Sequence, residues 1–308
     1  MSLLHIAQNF TVYGGLVLLV AGVVGNTISI YIFSSVGTYR TVPCGFYFMV
    51  ESIFNILYIL INLTSRIVSV GFGYDLTATS VVWCKARNFF IATLGLVTFT
   101  CSCLATIDQF FATSRSVSLR QCSNLKWAHR IVLIAIIIWC LHGIPFLIFY
   151  DIIPTSKSCG STSKTLTTYV PIFVCVLLCG IPISFMIIFG FLTYRNIQHI
   201  RALAEQRADR QFTQMCLIKV VLIIITNTPF GSYTAYSIIT SGMTKDLNRQ
   251  MQEYLAASIL SVLNYTYYVG SFYMFLISSK RFRQTVKSRI FCWHGLNQIN
   301  PSATFTRT

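Results

Sequence analysis

Seven apolar runs, each about twenty residues or more, divide this 308-residue chain almost from end to end. They are Val12–Ser35, Gly45–Val70, Cys84–Phe110, Arg130–Tyr150, Thr168–Tyr194, Gln214–Thr240 and Tyr254–Ser278. A helix of about 20 residues is about 30 Å long, the thickness of a bilayer's hydrocarbon core. The third run makes the case most clearly, because it carries no charge between Arg87 and Asp108. The runs lack strict alternation and are longer than a barrel strand, so helices are expected. Each helix satisfies its own backbone groups in lipid, which tolerates interior Gly and Pro. Only 10% of the residues are charged, against about 25% in a soluble domain. With mean hydropathy +0.67, the bilayer is the natural solvent. The expected fold is an all-α membrane protein, a seven-transmembrane helix bundle over 12–278. A short tail, 1–11, precedes it, and an amphipathic helix with a cytoplasmic tail, 279–308, follows.

The net charge of +15 sits in the segments between the runs, which points to lipid headgroups and away from nucleic acid. One side of the membrane receives fifteen Lys and Arg residues, from Arg40 through the Arg115–Arg130 and Arg195–Arg210 segments to the tail beyond Lys280. The other side receives Lys85, Arg87, Lys157, Lys164, Lys245 and Arg249. The positive-inside rule then places the N-terminus outside and the C-terminus in the cytoplasm. An odd number of spans disfavours the paired inverted repeats of a secondary transporter. No metal-ligand spacing and no cofactor signature is present, and the two membrane acids, Glu51 and Asp108, fall on different helices. An enzyme is therefore not expected, nor a cofactor.

Polar residues inside the runs are costly in lipid and are expected to face other helices. Asn26 sits in mid-helix one, and Glu51 and Asn55 share a face of helix two. Arg66 either snorkels to the headgroups or faces a cavity and meets an anionic group. Lys219 either snorkels inward or pairs with a carboxyl across the bundle. His142 is expected to be packed and hydrogen-bonded. Of eleven cysteines, most lie inside apolar runs, while Cys84 and Cys159 fall on the outer, oxidising side and are expected to bridge. Pro182 and Pro229 each remove an intrahelical bond and permit a kink. Phe282, Val286 and Ile290 recur at four-residue steps among Lys280, Arg283 and Lys287, the pattern of a helix lying on the inner leaflet. Cys292 follows as a palmitoylation candidate, and Asn9 opens an outer-side glycosylation sequon.

Taken in order, Gly25-Asn26, Cys84 with Cys159, Asp108, Trp139, Pro182, Pro229 and Phe282-Arg283 resemble the marks of rhodopsin-like G-protein-coupled receptors. The likeness spans Gly25 to Arg283, and its departures resemble the peptide-receptor-like expansions of invertebrates. Gln109 stands where the family has the arginine of Asp-Arg-Tyr, so Asp108 is expected to turn to Arg115 or Arg120. Asn227 replaces the family's helix-six tryptophan. Ser271, Phe272 and Phe275 replace the helix-seven Asn-Pro-x-x-Tyr, and Asn55 replaces the acid that helps hold sodium. The resemblance implies an extracellular ligand near Arg66, Ile91, Asn227, Asn264 and Tyr267. It also implies a heterotrimeric G protein as partner, with Asp108, Gln109, Lys219, Ser271 and Phe275 in the coupling switch. Ile91 occupies the region where amine receptors carry an acid, and the helix-seven core has no lysine for retinal, so a peptide or small organic ligand is expected. The other readings are a transporter or channel-like protein, and a seven-helix scaffold or decoy that does not couple.

Overall fold

The computed structural model describes residues 3–154, 157–199 and 207–290. Seven long helices account for most of them: α1 (Leu3–Ser35), α2 (Pro43–Gly71), α3 (Val81–Ala112), α4 (Leu125–Phe149), α5 (Lys164–Gln198), α6 (Arg207–Ile239) and α7 (Leu247–Ser278). The first six, α6 from Gln211 onward, are long and apolar enough to cross a membrane by length and composition. This is the signature of a multi-pass helical membrane protein. The seventh, α7, is 32 residues long and carries the polar and aromatic stretch Asn264–Tyr268. A short helix, α8 (Lys280–Ile290), follows.

Local chemistry explains the ends. Pro43 occupies the first turn of α2, where its missing N–H leaves nothing unsatisfied. Ser80 caps α3 by accepting from Trp83 N, and Asn124 caps α4 by accepting from Lys126 N. Arg283 Nη1 donates to the carbonyls of Leu276 and Ile277 at 2.8 and 2.9 Å, capping the last turn of α7. Phe282 and Val286 of α8 are buried, as the four-residue spacing predicts.

Two features differ from the sequence reading. Helix α1 begins at Leu3, inside the segment expected to be a tail, because no Gly or Pro interrupts the chain before Gly14. Asn9 therefore sits within a helix, its amide 3.5 Å from His5 Nε2, and Thr11 is buried. The segment between α4 and α5 forms a small antiparallel hairpin, β1 (Tyr150–Ile153) with β2 (Ser158–Ser161), pairing Ile152 with Cys159. Tyr and paired Ile residues favour the extended backbone there. Cys292 lies outside the described residues.

Packing is closest where side chains are absent. A Cβ at Gly22 of α1 would stand 2.7 Å from Ile59 Cδ1 and 2.9 Å from Val269 Cγ2, so glycine lets α1 approach α2 and α7. At the end of the bundle that carries α8, called inner on the expected topology, Phe33, Tyr39, Phe48, Phe212, Phe275 and Phe282 form one aromatic cluster joining α1, α2, α6, α7 and α8. The Phe48 and Phe275 rings lie 4.8 Å apart at its centre. Helix α2 contains π-helical turns at Ile59–Leu63 and Ile67–Gly71, on either side of Arg66. Each extra residue in a turn rotates the side chains that follow.

Candidate functional site

Charge is buried at the centre of the inner half. Lys219 of α6 is ion-paired with Glu51 of α2 and donates to Ser102 Oγ of α3 at 2.9 Å. Tyr267 of α7 donates to the same Ser102 Oγ at 2.7 Å. The Lys219 ammonium also lies 5.3 Å from the Phe48 ring centroid and 5.4 Å from that of Tyr267. Lys219 is 1% exposed and Glu51 2%, so neither charge is hydrated and each depends on the other. Of the two alternatives for Lys219, the structure realises the cross-bundle pair. One cluster thus joins α2, α3, α6 and α7. It leaves Glu51 Oε2 buried without a hydrogen-bond partner.

Above it runs a chain of neutral amides. Thr98 Oγ1 donates to Asn55 Oδ1 at 3.1 Å, and Asn55 Nδ2 donates to Asn26 Oδ1 at 3.3 Å. Asn26 Nδ2 in turn donates to the carbonyls of Gly22 and Tyr268 at 2.8 and 3.0 Å. Asn55 of α2 is thus engaged with α1 and α3. The nearby acid, Glu51, is held by Lys219. Among the described residues, no three His, Cys, Asp or Glu side chains group as a metal site. Asn264 Nδ2 donates to Asn227 Oδ1 at 2.9 Å, tying α7 to α6 two residues inward of Pro229.

The inner end of α3 is held by hydroxyls. Ser123 Oγ donates to Asp108 Oδ1 at 2.7 Å. Gln109 is fully buried, and its Oε1 accepts from Thr213 Oγ1 of α6 at 3.0 Å. Gln109 therefore bridges α3 to α6 with one neutral hydrogen bond. Phe275 belongs to the aromatic cluster, while Ser271 is buried with its hydroxyl unpartnered. Pro229 lies inside α6, ten residues outward of Lys219, or about 15 Å along the helix. The ion pair is thus placed between that proline and the inner end of α6. Pro182 opens the regular part of α5, just after the π-helical segment Val174–Gly180.

The opposite end, called outer on the expected topology, is built differently. Cys84 and Cys159 form a disulfide with Cα atoms 5.6 Å apart, fixing β2 to the start of α3. Asn88 Nδ2 rests 3.3 Å from Cys159 Sγ. Arg87 Nη2 donates to Asn62 Oδ1 at 3.0 Å, and both Arg87 and Arg66 line a cavity of about 110 Å³ between α2 and α3. Across the third outer loop, Lys245 Nζ reaches Glu253 Oε2 at 2.6 Å, and Arg249 Nε reaches Glu253 Oε1 at 3.2 Å. Glu253 precedes the apolar run of α7, and the Lys245 ammonium beside it holds its carboxyl below the ordinary value.

The five residues expected to meet a ligand lie in several surroundings. Arg66 lines the outer cavity; Ile91 packs on the central core; Asn227 and Asn264 bond each other; Tyr267 belongs to the charge cluster. His142 is packed, with Nε2 2.7 Å from Tyr169 OH, and Trp139 Nε1 donates to Thr100 Oγ1 at 2.9 Å. Sequence reasoning passed over Ser102, Thr98, Asn62, Ser123 and Thr213. Asn62 carried a signal, standing four residues before Arg66 on the same face. The small hydroxyl residues carried none, because Ser and Thr also bond harmlessly to their own helix. No protein-family model matches the chain, and no curated protein matches it in sequence.

Proposed function

We propose that the chain is a cell-surface receptor with seven spanning helices, its N-terminus outside. In this reading it takes an extracellular ligand and signals through a heterotrimeric G protein. The observation that carries the reading is the buried Lys219–Glu51 pair with Ser102 and Tyr267, which binds α6 to three neighbours on the inner side of Pro229. Receptors of this shape work by population shift: α6 swings, an inner crevice opens, and a ligand favours the open arrangement. A resting link must therefore hold α6 inward and be reversible. Breaking a buried ion pair costs about 3–5 kcal/mol. Moving a two-state equilibrium from 1:99 to 99:1 takes about 5.5 kcal/mol. The pair is thus of the right size to set the resting bias. The Gln109–Thr213 bond adds a weaker link lower down.

The reading is tested by nucleotide exchange in membranes containing the full chain, with Gα proteins of several classes and a ligand panel. Ligand-driven exchange on at least one Gα supports it. A second reading, ion-coupled transport, draws on one observation: intramembrane ionisable pairs mark ion paths, and Glu51 Oε2 has no partner. Flux of protons or solute through reconstituted vesicles, without exchange on any Gα, replaces the receptor reading with that one.

A further inference from the structure

We infer that the outer cavity between α2 and α3 is an anion site, and that the ligand presents a carboxylate to Arg66 and Arg87. This deepens the receptor reading and rests on it for its biological use, but not for its chemistry. The cavity is walled by Ser65, Arg66, Ser69, Tyr74, Trp83 and Arg87. Three of its N–H donors are buried with no acceptor among the described residues: Arg66 Nε, Arg87 Nε and Trp83 Nε1. Arg87 has only the neutral Asn62 carbonyl as partner, at 3.0 Å, and Arg66 has no hydrogen-bond partner among the described residues. Neither arginine forms an ion pair among them.

The acid that lines the cavity is engaged through one carboxylate oxygen. Asp75 lines the same cavity, but its Oδ1 accepts from Thr77 N at 2.9 Å and Thr77 Oγ1 at 2.7 Å, and no ion pair joins it to either guanidinium. Asp151 Oδ1 accepts from Ile152 N, and Glu253 is held by Lys245 and Arg249. Arginine does not give up its proton, so the two charges persist whatever the surroundings. Buried donors without acceptors and half-buried cations without acids are both relieved by one kind of group. An ionised carboxylate is acceptor-only and meets a guanidinium fork in two parallel hydrogen bonds. Size agrees. A cavity of about 150 Å³ admits benzene, so one of about 110 Å³ takes a carboxylate head and leaves the rest of the ligand toward the outer mouth. The two π-helical turns of α2 fit the same purpose. Asn62 sits in the first, which shifts the facing of Arg66 after it, and Ser69 of the cavity wall sits in the second.

Such a head belongs either to a small organic acid or to the C-terminus of a peptide. The test uses the full chain in lipid nanodiscs and measures binding by calorimetry and thermal shift, without a G protein. The probes are butyrate against butyramide, and a pentapeptide with a free against an amidated C-terminus. The acid of at least one pair is expected to bind about tenfold or more tightly than its amide. Arg66→Gln and Arg87→Gln are expected to remove that preference. Preference for butyrate identifies an organic-acid site; preference confined to the free-ended peptide identifies a peptide terminus. Equal binding of acid and amide in both pairs overturns the inference. So does a preference that survives both substitutions. If a variant does not fold, the acid–amide comparison on the unaltered chain still decides. Nucleotide exchange is read separately. Arginine-dependent acid binding with no exchange on any Gα leaves the anion site standing and removes the receptor. Exchange driven by an uncharged ligand and unchanged in Arg66→Gln keeps the receptor and removes the anion site.

Discussion

Buried charge in the two halves of the bundle is handled in opposite ways. In the inner half, Lys219 meets Glu51 and is further held by Ser102, with aromatic faces on two sides. In the outer half, Arg66 and Arg87 share a cavity with no ion pair to either. The frames differ as well: one end of α3 is fixed covalently by Cys84–Cys159, while the other meets α6 through hydrogen bonds such as Gln109–Thr213 and Cys216–Ala105. A completed pair across a movable helix is a latch. An incomplete pair in a covalently fixed frame is a receptacle. On the proposed reading, the contrast gives holding to one end and binding to the other.

Substitutions at the two charge sites are expected to have opposite signs. The largest effect belongs to the pair. Glu51→Ala or Lys219→Ala leaves a buried charge alone and is expected to lower stability by about 3–5 kcal/mol. Glu51→Leu with Lys219→Met restores an apolar interior and is expected to fall close to the unaltered chain. Thermal unfolding in nanodiscs measures both, and a double substitution as damaging as the singles breaks the contrast. Next is the frame. Cys84→Ser or Cys159→Ser is expected to lose about 2–4 kcal/mol, read as reduced surface expression and an unchanged gel mobility on reduction. Arg66→Met removes an unmatched cation and is expected to raise the stability of the ligand-free chain by about 1–3 kcal/mol. A loss there means that Arg66 is paired in the membrane and that the two halves are alike. The smallest effect is at the inner bridge. Gln109→Leu or Thr213→Val is expected to cost about 1 kcal/mol and to raise basal nucleotide exchange, while Gln109→Arg alters exchange in the direction set by its contact with Asp108.

The long apolar helices, the Cys84–Cys159 disulfide and the amphipathic α8 were legible because each rests on one-dimensional information. Run length gives a span, an outer-loop position gives a cysteine its mate, and four-residue spacing gives a buried face to Phe282 and Val286. Partners across the bundle were not legible to the same degree. Lys219 was expected either to snorkel or to meet a carboxyl, and nothing in the linear order selects Glu51, 168 residues away. That choice depends on the azimuth of α6 relative to α2, which the packing of Phe48, Tyr267 and Ser102 decides. The π-helical turns of α2 are similarly hidden, since Ile59–Leu63 and Ile67–Gly71 read as ordinary apolar helix. They shift the facing of Asn62 and Arg66, and with it the shape of the outer cavity. Tyr267 shows the same limit. Its place in α7 was clear, but its hydroxyl's partner, Ser102, was not.

The latch is tested most directly by a distance. Spin labels at Ala112 of α3 and Gln214 of α6, on a background in which the exposed Cys122 is replaced, report the separation of the two inner ends. With the pair intact, a single short-distance population is predicted. With Glu51→Leu and Lys219→Met together, a second, longer population is predicted in the absence of ligand. Identical distance distributions in the two proteins, both folded, contradict the assignment of Lys219–Glu51 as the element that holds α6 inward.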